Sequence, residues 1–169
     1  RGVKVVHNPE SNMKLASGVA PIPELLARGV AVGLGTDGCA SNNNLDLFQE
    51  MDSTAKLHKV HRLDPTLMPA HVVLEMATLG GGKVLGLEKE IGSLEVGKKA
   101  DIIILDLHRP HLQPIYNIVS NLVYSAAGAD VRDVIIDGKL VMQDRKLLTI
   151  DEETLLQKVE GWEAKIAGS

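Results

Sequence analysis

Two short segments of this 169-residue chain hold the residues best placed to do chemistry. In one, Val30-Ala31-Val32-Gly33-Leu34 runs straight into Gly35-Thr36-Asp37-Gly38. In the other, Val3-Lys4-Val5-Val6 ends at His7-Asn8-Pro9. The first of these, apolar without a break, fits a strand buried on both faces, and chemistry in such folds gathers at the carboxyl ends of the strands. Asp37 then stands where a metal ligand or a proton-transfer group belongs, with nearby glycines that let another group approach closely. The plainer alternative is that Asp37 orders a turn or caps the next segment.

His7 ends the preceding strand, so its side chain is expected to open onto the same mouth as Asp37. Its alternative role is to order the Asn8-Pro9 turn by hydrogen bonding. Ser11, Asn12, Ser41 and Asn42 follow the two strands and could line that mouth, although serine and asparagine in loops are common turn formers. His58 and His61 have a chelating i, i+3 spacing. They stand among Lys56, Lys59 and Arg62, which is the texture of a solvated face. His71 reads as an ordinary helix residue, and His108 and His111 fall in a loop of the second half. Cys39 has no assigned base beside it, and no glycine-rich phosphate loop follows a strand into a helix. The residues alone therefore give one carboxylate with a candidate histidine, fewer groups than a hydrolytic metal centre needs.

The elements that position them alternate. The interval between the two strands has room for a right-handed crossover, which makes the strands parallel. Pro21 and Pro23 open a helix through Leu25, Leu26 and Ala27, which Gly29 stops. Leu45, Phe48, Met51, Ala55, Leu57 and His58 recur at helical spacing. A further helix is expected over residues 66–79, broken by Gly80-Gly81-Gly82 and followed by a short helical segment over 83–87. From about residue 90 the texture changes to a turn-rich stretch, 91–101, and an apolar strand, 102–105. A strand is expected over 119–124. Strands over 131–137 and 140–143 flank Asp137-Gly138, a strong signal for a tight hairpin. An amphipathic helix over 152–166 ends at Gly168. The chain thus divides into an α/β part (1–90), a small antiparallel β unit (91–150) and a C-terminal helix (151–169).

Composition excludes several function classes. Phe48, Tyr116, Tyr124 and Trp162 are the only aromatic residues, and the net charge is -4. Stacking platforms and a basic footprint for nucleic acid are both lacking. Cys39 is the only cysteine, which rules out an intrachain disulfide and points to a reducing, cytoplasmic setting. No apolar run approaches the roughly 20 residues of a membrane span. Because the chain opens at Arg1 almost inside a strand, it is expected to be part of a larger protein.

The combination His7-Asn8-Pro9-x-Ser11-Asn12-x-Lys14-Leu15 with Gly35-Thr36-Asp37-Gly38-x-Ala40-Ser41-Asn42-Asn43 resembles the amidohydrolase superfamily. It is most similar to the branch of methylthioadenosine/S-adenosylhomocysteine deaminases and related chlorohydrolases. Gly92-Ser93-Leu94-Glu95-x-Gly97-Lys98-x-Ala100-Asp101 resembles the segment that re-enters the small β-domain of that family, and residues 134–141 resemble its late hairpin. The resemblance implies a (β/α)8 barrel with one divalent metal ion, usually zinc and in some members iron. In that family a His-x-His pair after the first strand, a histidine after the fifth and an aspartate after the eighth bind the metal. The aspartate corresponds to Asp37, which there also shuttles a proton. The implied reaction is hydrolytic deamination of an adenosine-like nucleoside, with metal-bound hydroxide attacking the ring carbon and ammonia leaving.

Departures from the pattern matter equally. The His-x-His pair, the fifth-strand histidine with the Glu that follows it, and the sixth-strand histidine have no counterpart in this sequence. By the family's order they precede Arg1. His7 belongs to the seventh-strand segment and is not one of the metal ligands. The resemblance therefore implies the last two β/α units of the barrel with its closing helices, plus part of a composite β-domain. A whole barrel takes about 250 residues, so the remaining N-terminal portion is the first expected partner. The others are a nucleoside-like substrate, contacted by Asp37 and in addition by His7, Asn12 or Ser41, and further copies in a homo-oligomer. The alternatives are another amidohydrolase, of the guanine deaminase or triazine chlorohydrolase type, or a non-catalytic fragment.

Overall fold

Strand β1 (Lys4–His7) and strand β2 (Ala31–Leu34) pair in parallel, with Lys4 opposite Ala31 and His7 opposite Leu34. The crossover-length interval between them predicts this pairing, and the computed structural model, which describes residues 2–167, places them so. Pro9 ends β1 as expected, and it also opens a helix, α1 (Pro9–Lys14), where a turn is expected. Proline suits that position because its missing N–H is one the first turn leaves unpaired anyway. Helix α2 (Ile22–Ala27) closes before Gly29, whose positive φ of 72° turns the chain back into β2. Past β2 come the short α3 (Cys39–Asn42) and the long α4 (Leu47–Arg62), which is capped by the Asp46 carboxylate accepting from Phe48 N at 2.9 Å.

The next helix departs from expectation at both ends. Pro69 is extended and serves as N-cap, so α5 (Ala70–Glu75) begins four residues after Thr66. The glycine triplet does not break the helix. A π-helical turn (Met76–Gly80) carries it directly into α6 (Gly81–Leu85), and Gly86 at φ 76° ends it. The glycines serve close packing: a Cβ at Gly80 would lie 2.4 Å from the Val32 carbonyl oxygen, and one at Gly33 would lie 3.1 Å from Gly81 Cα. Helix and strand meet backbone to backbone, and the wider π turn takes up the register.

Residues 119–124 are not a strand. They lie in helix α7 (Ile118–Tyr124), whose first turn is capped by the Asn117 side chain accepting from Ser120 N at 3.0 Å. Val119 and Val123 have strand preferences, but Val123 is fully buried and α7 packs on α4 and α5. Burial overrides local propensity there. The buried core, Ile22, Val32, Met51, Ala55, Met68, Val73, Met76 and Val123, joins α2, β2, α4, α5, the π turn and α7. Each large side chain among them contributes about 1.5–3 kcal/mol.

The second unit is a four-stranded antiparallel sheet in the order β3 (Ile102–Leu105), β4 (Val131–Ile136), β5 (Lys139–Gln143) and β6 (Lys146–Leu147). Ile136 pairs with Lys139 across Asp137-Gly138. Both turn residues have positive φ, 50° and 76°, as a tight hairpin turn requires. Helix α8 (Glu152–Ala167) follows as expected, while its expected stop at Gly168 lies outside the described residues. Among the described residues, no helix is long and apolar enough to cross a membrane.

Candidate functional site

The loops that leave β1 and β2 are stitched together residue by residue. Gly35 N donates to His7 O at 3.0 Å, and the Asn8 side-chain amide donates back to Gly35 O at 2.9 Å. A Cβ at Gly35 would come within 2.6 Å of that Asn8 side chain and 2.8 Å of Val6 Cγ1, so only glycine permits this approach. Further out, Ser11 Oγ donates to Asp37 Oδ2 at 2.8 Å, and Lys14 Nζ donates to Asn43 Oδ1.

Asp37 sits at the end of this seam, exposed, with its backbone in the left-handed region at φ 59°. Aspartate tolerates that conformation better than most residues. Its other oxygen, Oδ1, accepts from Gly38 N at 2.8 Å. The Ser11 hydroxyl first, then the Ser41 hydroxyl and the Gly38 N–H, hold the carboxyl below the usual carboxylate range. Asp37 is therefore an anion at neutral pH. A carboxylate has about four acceptor sites, more than these donors use.

Beneath the seam lies a buried carboxylate that no local pattern marks out. Glu50, on α4, is 0 % exposed. It accepts from Asn42 Nδ2 at 2.5 Å and from Glu10 N at 3.2 Å. The same Asn42 amide donates to Thr36 O at 2.8 Å. One buried group thus ties the start of α1 to the residue just before Asp37. Burial pushes the Glu50 carboxyl up, and so does the neighbouring Glu10 carboxylate, while the Glu10 N–H and Asn42 pull it down.

His7 is buried. It is 2 % exposed and faces His58 of α4, with Nε2 to Nε2 at 3.2 Å. His58 is 1 % exposed, which corrects its assignment to a solvated face. The signal was present: His58 falls three residues after the buried Ala55 and seven after the buried Met51, on one helical stripe. His61 is exposed, as are His71 on α5 and His108. His111 contacts Asp130 in the second unit at 3.0 Å. Of the other sequence candidates, Asn12 is half-buried on α1, and Ser41 Oγ donates to Gly38 O at 2.9 Å. Cys39 is a free, exposed thiol.

The His7–His58 contact makes the fold sensitive to acid. Burial first, and His58 second, lower the His7 pKa from 6.5 to about 4. Between those values the unfolded chain binds a proton that the folded chain excludes, so stability rises with pH through the window and is complete above it. From about pH 7.5 to about pH 5, His7 alone is expected to remove about 2 kcal/mol. Denaturant midpoints measured across this range check it; a His7→Gln variant should show a flatter dependence.

The amidohydrolase family pattern matches residues 1–141. The chain belongs to the amidohydrolase family. It is 62 % identical over 159 residues to a 5-methylthioadenosine/S-adenosylhomocysteine deaminase of Syntrophobacter fumaroxidans, covering 94 % of this chain and 36 % of that protein. It is 55 % identical over 160 residues to a 5'-deoxyadenosine deaminase of Methanosarcina mazei, covering 95 % of this chain and 37 % of the relative. Among solved structures, an adenosine deaminase from Xanthomonas campestris with bound zinc superposes with a TM-score of 0.96. That protein is 44 % identical, and the match covers all of this chain and 38 % of the other. The chain spans a little over a third of the length of these relatives. The α/β arrangement of β1, β2 and their helices matches the partial barrel expected of an amidohydrolase.

Whether this amidohydrolase segment suits a metal is decided by its donors. Asp37 is an exposed, anionic, hydrogen-bonded carboxylate at a strand end, which fits one ligand of a divalent cation. Among the described residues, no group of three or more His, Cys, Asp or Glu could hold a metal ion.

Proposed function

We propose that the full-length protein carrying this segment is a metal-dependent hydrolase that deaminates an adenosine-like nucleoside, with Asp37 as one metal ligand and as the proton carrier. The observation that carries this reading is the Asp37 carboxylate itself, kept anionic by Ser11 and Gly38 at the exposed end of β2. The named activities of the two deaminase relatives, at 62 % and 55 % identity, favour a 6-aminopurine nucleoside over a triazine or guanine. The bound zinc of the solved adenosine deaminase supports zinc as the cation.

A divalent cation held here would lower the pKa of a bound water toward about 7. Asp37 would be one of the residues that hold the cation. With its remaining acceptor capacity it would take up a proton and return it to the departing amine. Asn12 and Ser41 stand near enough in sequence to the seam to serve as substrate contacts. His7, shielded by α4, would instead brace the strand end. In this reading residues 1–90 are the last two β/α units of a barrel, 91–150 belong to the small β-domain, and 151–169 form the C-terminal helix. The other ligands come from the rest of the barrel, and the protein works as a cytoplasmic homo-oligomer.

Ammonia release from methylthioadenosine, S-adenosylhomocysteine, 5'-deoxyadenosine, adenosine, guanine and a chlorotriazine tests the reaction. The expected result is ammonia from the adenosine derivatives only. Turnover confined to guanine, or chloride release from the triazine, would replace this reading with the corresponding alternative.

A further inference from the structure

Ser11 is an unusual residue for the interior of a six-residue helix, where serine competes with the backbone for hydrogen bonds. It is 2 % exposed, yet its hydroxyl leaves its own helix and donates to Asp37 Oδ2, 26 residues away, at 2.8 Å. The direction is fixed, because an ionised carboxylate has no hydrogen to give. An exposed carboxylate has water available and needs no buried partner for its own solvation. The contact therefore acts on where the carboxylate points.

The support behind Ser11 is rigid. Glu10, its neighbour, donates its backbone N–H to the buried Glu50. Glu50 also holds Asn42, which in turn holds the carbonyl of Thr36, next to Asp37. Donor and acceptor are thus anchored to the same buried side chain. Gly38 N fixes the second oxygen from the other side. With both oxygens held and the backbone set at φ 59°, the carboxylate is ordered before anything binds it.

We infer that Ser11 is a positioning residue, whose buried hydroxyl aims the Asp37 carboxylate at the cation it binds. This rests on the reading of Asp37 as a metal ligand given above. Partners that orient a metal ligand are typically worth about 10- to 100-fold in metal affinity or activity, and that is the loss assigned to removing this hydroxyl.

Zinc affinity, measured by chelator competition on the full-length protein, tests the inference in wild type, Ser11→Ala, Ser11→Thr, Asp37→Ala and the Ser11→Ala/Asp37→Ala double variant. Ser11→Ala should bind zinc about 10- to 100-fold more weakly, and Ser11→Thr, which keeps the hydroxyl, should recover most of that loss. In the Asp37→Ala background, Ser11→Ala should cost nothing further, since the two act as one unit. Wild-type zinc affinity in Ser11→Ala, with zinc lost from Asp37→Ala, overturns the positioning role alone. An equal loss from Ser11→Ala with or without Asp37 also overturns it, by showing a merely structural effect. Wild-type affinity in Asp37→Ala overturns the metal-ligand reading itself, and the role of Ser11 with it.

Discussion

Replacing Asp37 by alanine in the full-length protein is expected to strip zinc from the purified enzyme and to lower kcat by at least about 10²- to 10⁴-fold, the range for loss of a proton-transfer group alone. The fold should survive. Asp37 is exposed, and without its side chain the seam between the two loops keeps its Gly35–His7 and Asn8–Gly35 bonds. Asp37→Asn separates the two roles. It preserves size and an acceptor for Ser11 but removes the charge that a cation and a proton both need. Its activity should match that of Asp37→Ala even where some zinc remains. Metal analysis together with ammonia release checks both variants, and unchanged zinc content with unchanged turnover in Asp37→Ala would sink the assignment.

Gly80→Ala is expected to destabilise the protein by about 3 kcal/mol or more, at the top of the range for overpacking. The new methyl would meet backbone on both sides, the Val32 carbonyl oxygen at 2.4 Å and the Glu75 carbonyl oxygen at 3.2 Å. Neither can swing aside as a side chain would. The π turn would have to move off β2, and β2 is the strand that delivers Asp37, so zinc affinity should fall as well. Its neighbour is the control. A Cβ at Gly81 meets nothing within 4 Å, and the residue is helical, so Gly81→Ala should be neutral or stabilising by up to about 1 kcal/mol. Denaturant unfolding of the two variants measures the contrast. Equal effects would show that the close approach of helix and strand is not what the glycines provide.

Much of the architecture is written in local patterns. The run over 30–34 carries a strand because nothing polar interrupts it. The Asp137-Gly138 turn is a hairpin because two consecutive positive φ values favour those residue types. The family was legible for the same reason: the residues after each strand form a continuous loop whose order the sequence displays directly. Errors fell where a residue's surroundings come from far along the chain. Residues 119–124 have strand propensity, and only their burial against α4 and α5 makes them a helix. Gly80-Gly81-Gly82 has the composition of a helix breaker, and only the backbone of β2 beside it turns that composition into a packing surface.

The site divides along the same line. The sequence by itself determined that a carboxylate would stand at the end of a buried strand, next to a second parallel strand ending in His7. Tertiary structure alone decided which groups attend it. His7 and His58 are 51 residues apart, Glu10 and Glu50 are 40 apart, and Ser11 and Asp37 are 26 apart. No local periodicity links such pairs, because each partner satisfies its own helix or strand equally well without the other. Folding α1 and α4 against β1 and β2 brings them within hydrogen-bonding distance. That packing buries His7 against His58, buries Glu50 beneath the seam, and leaves Asp37 exposed at its end.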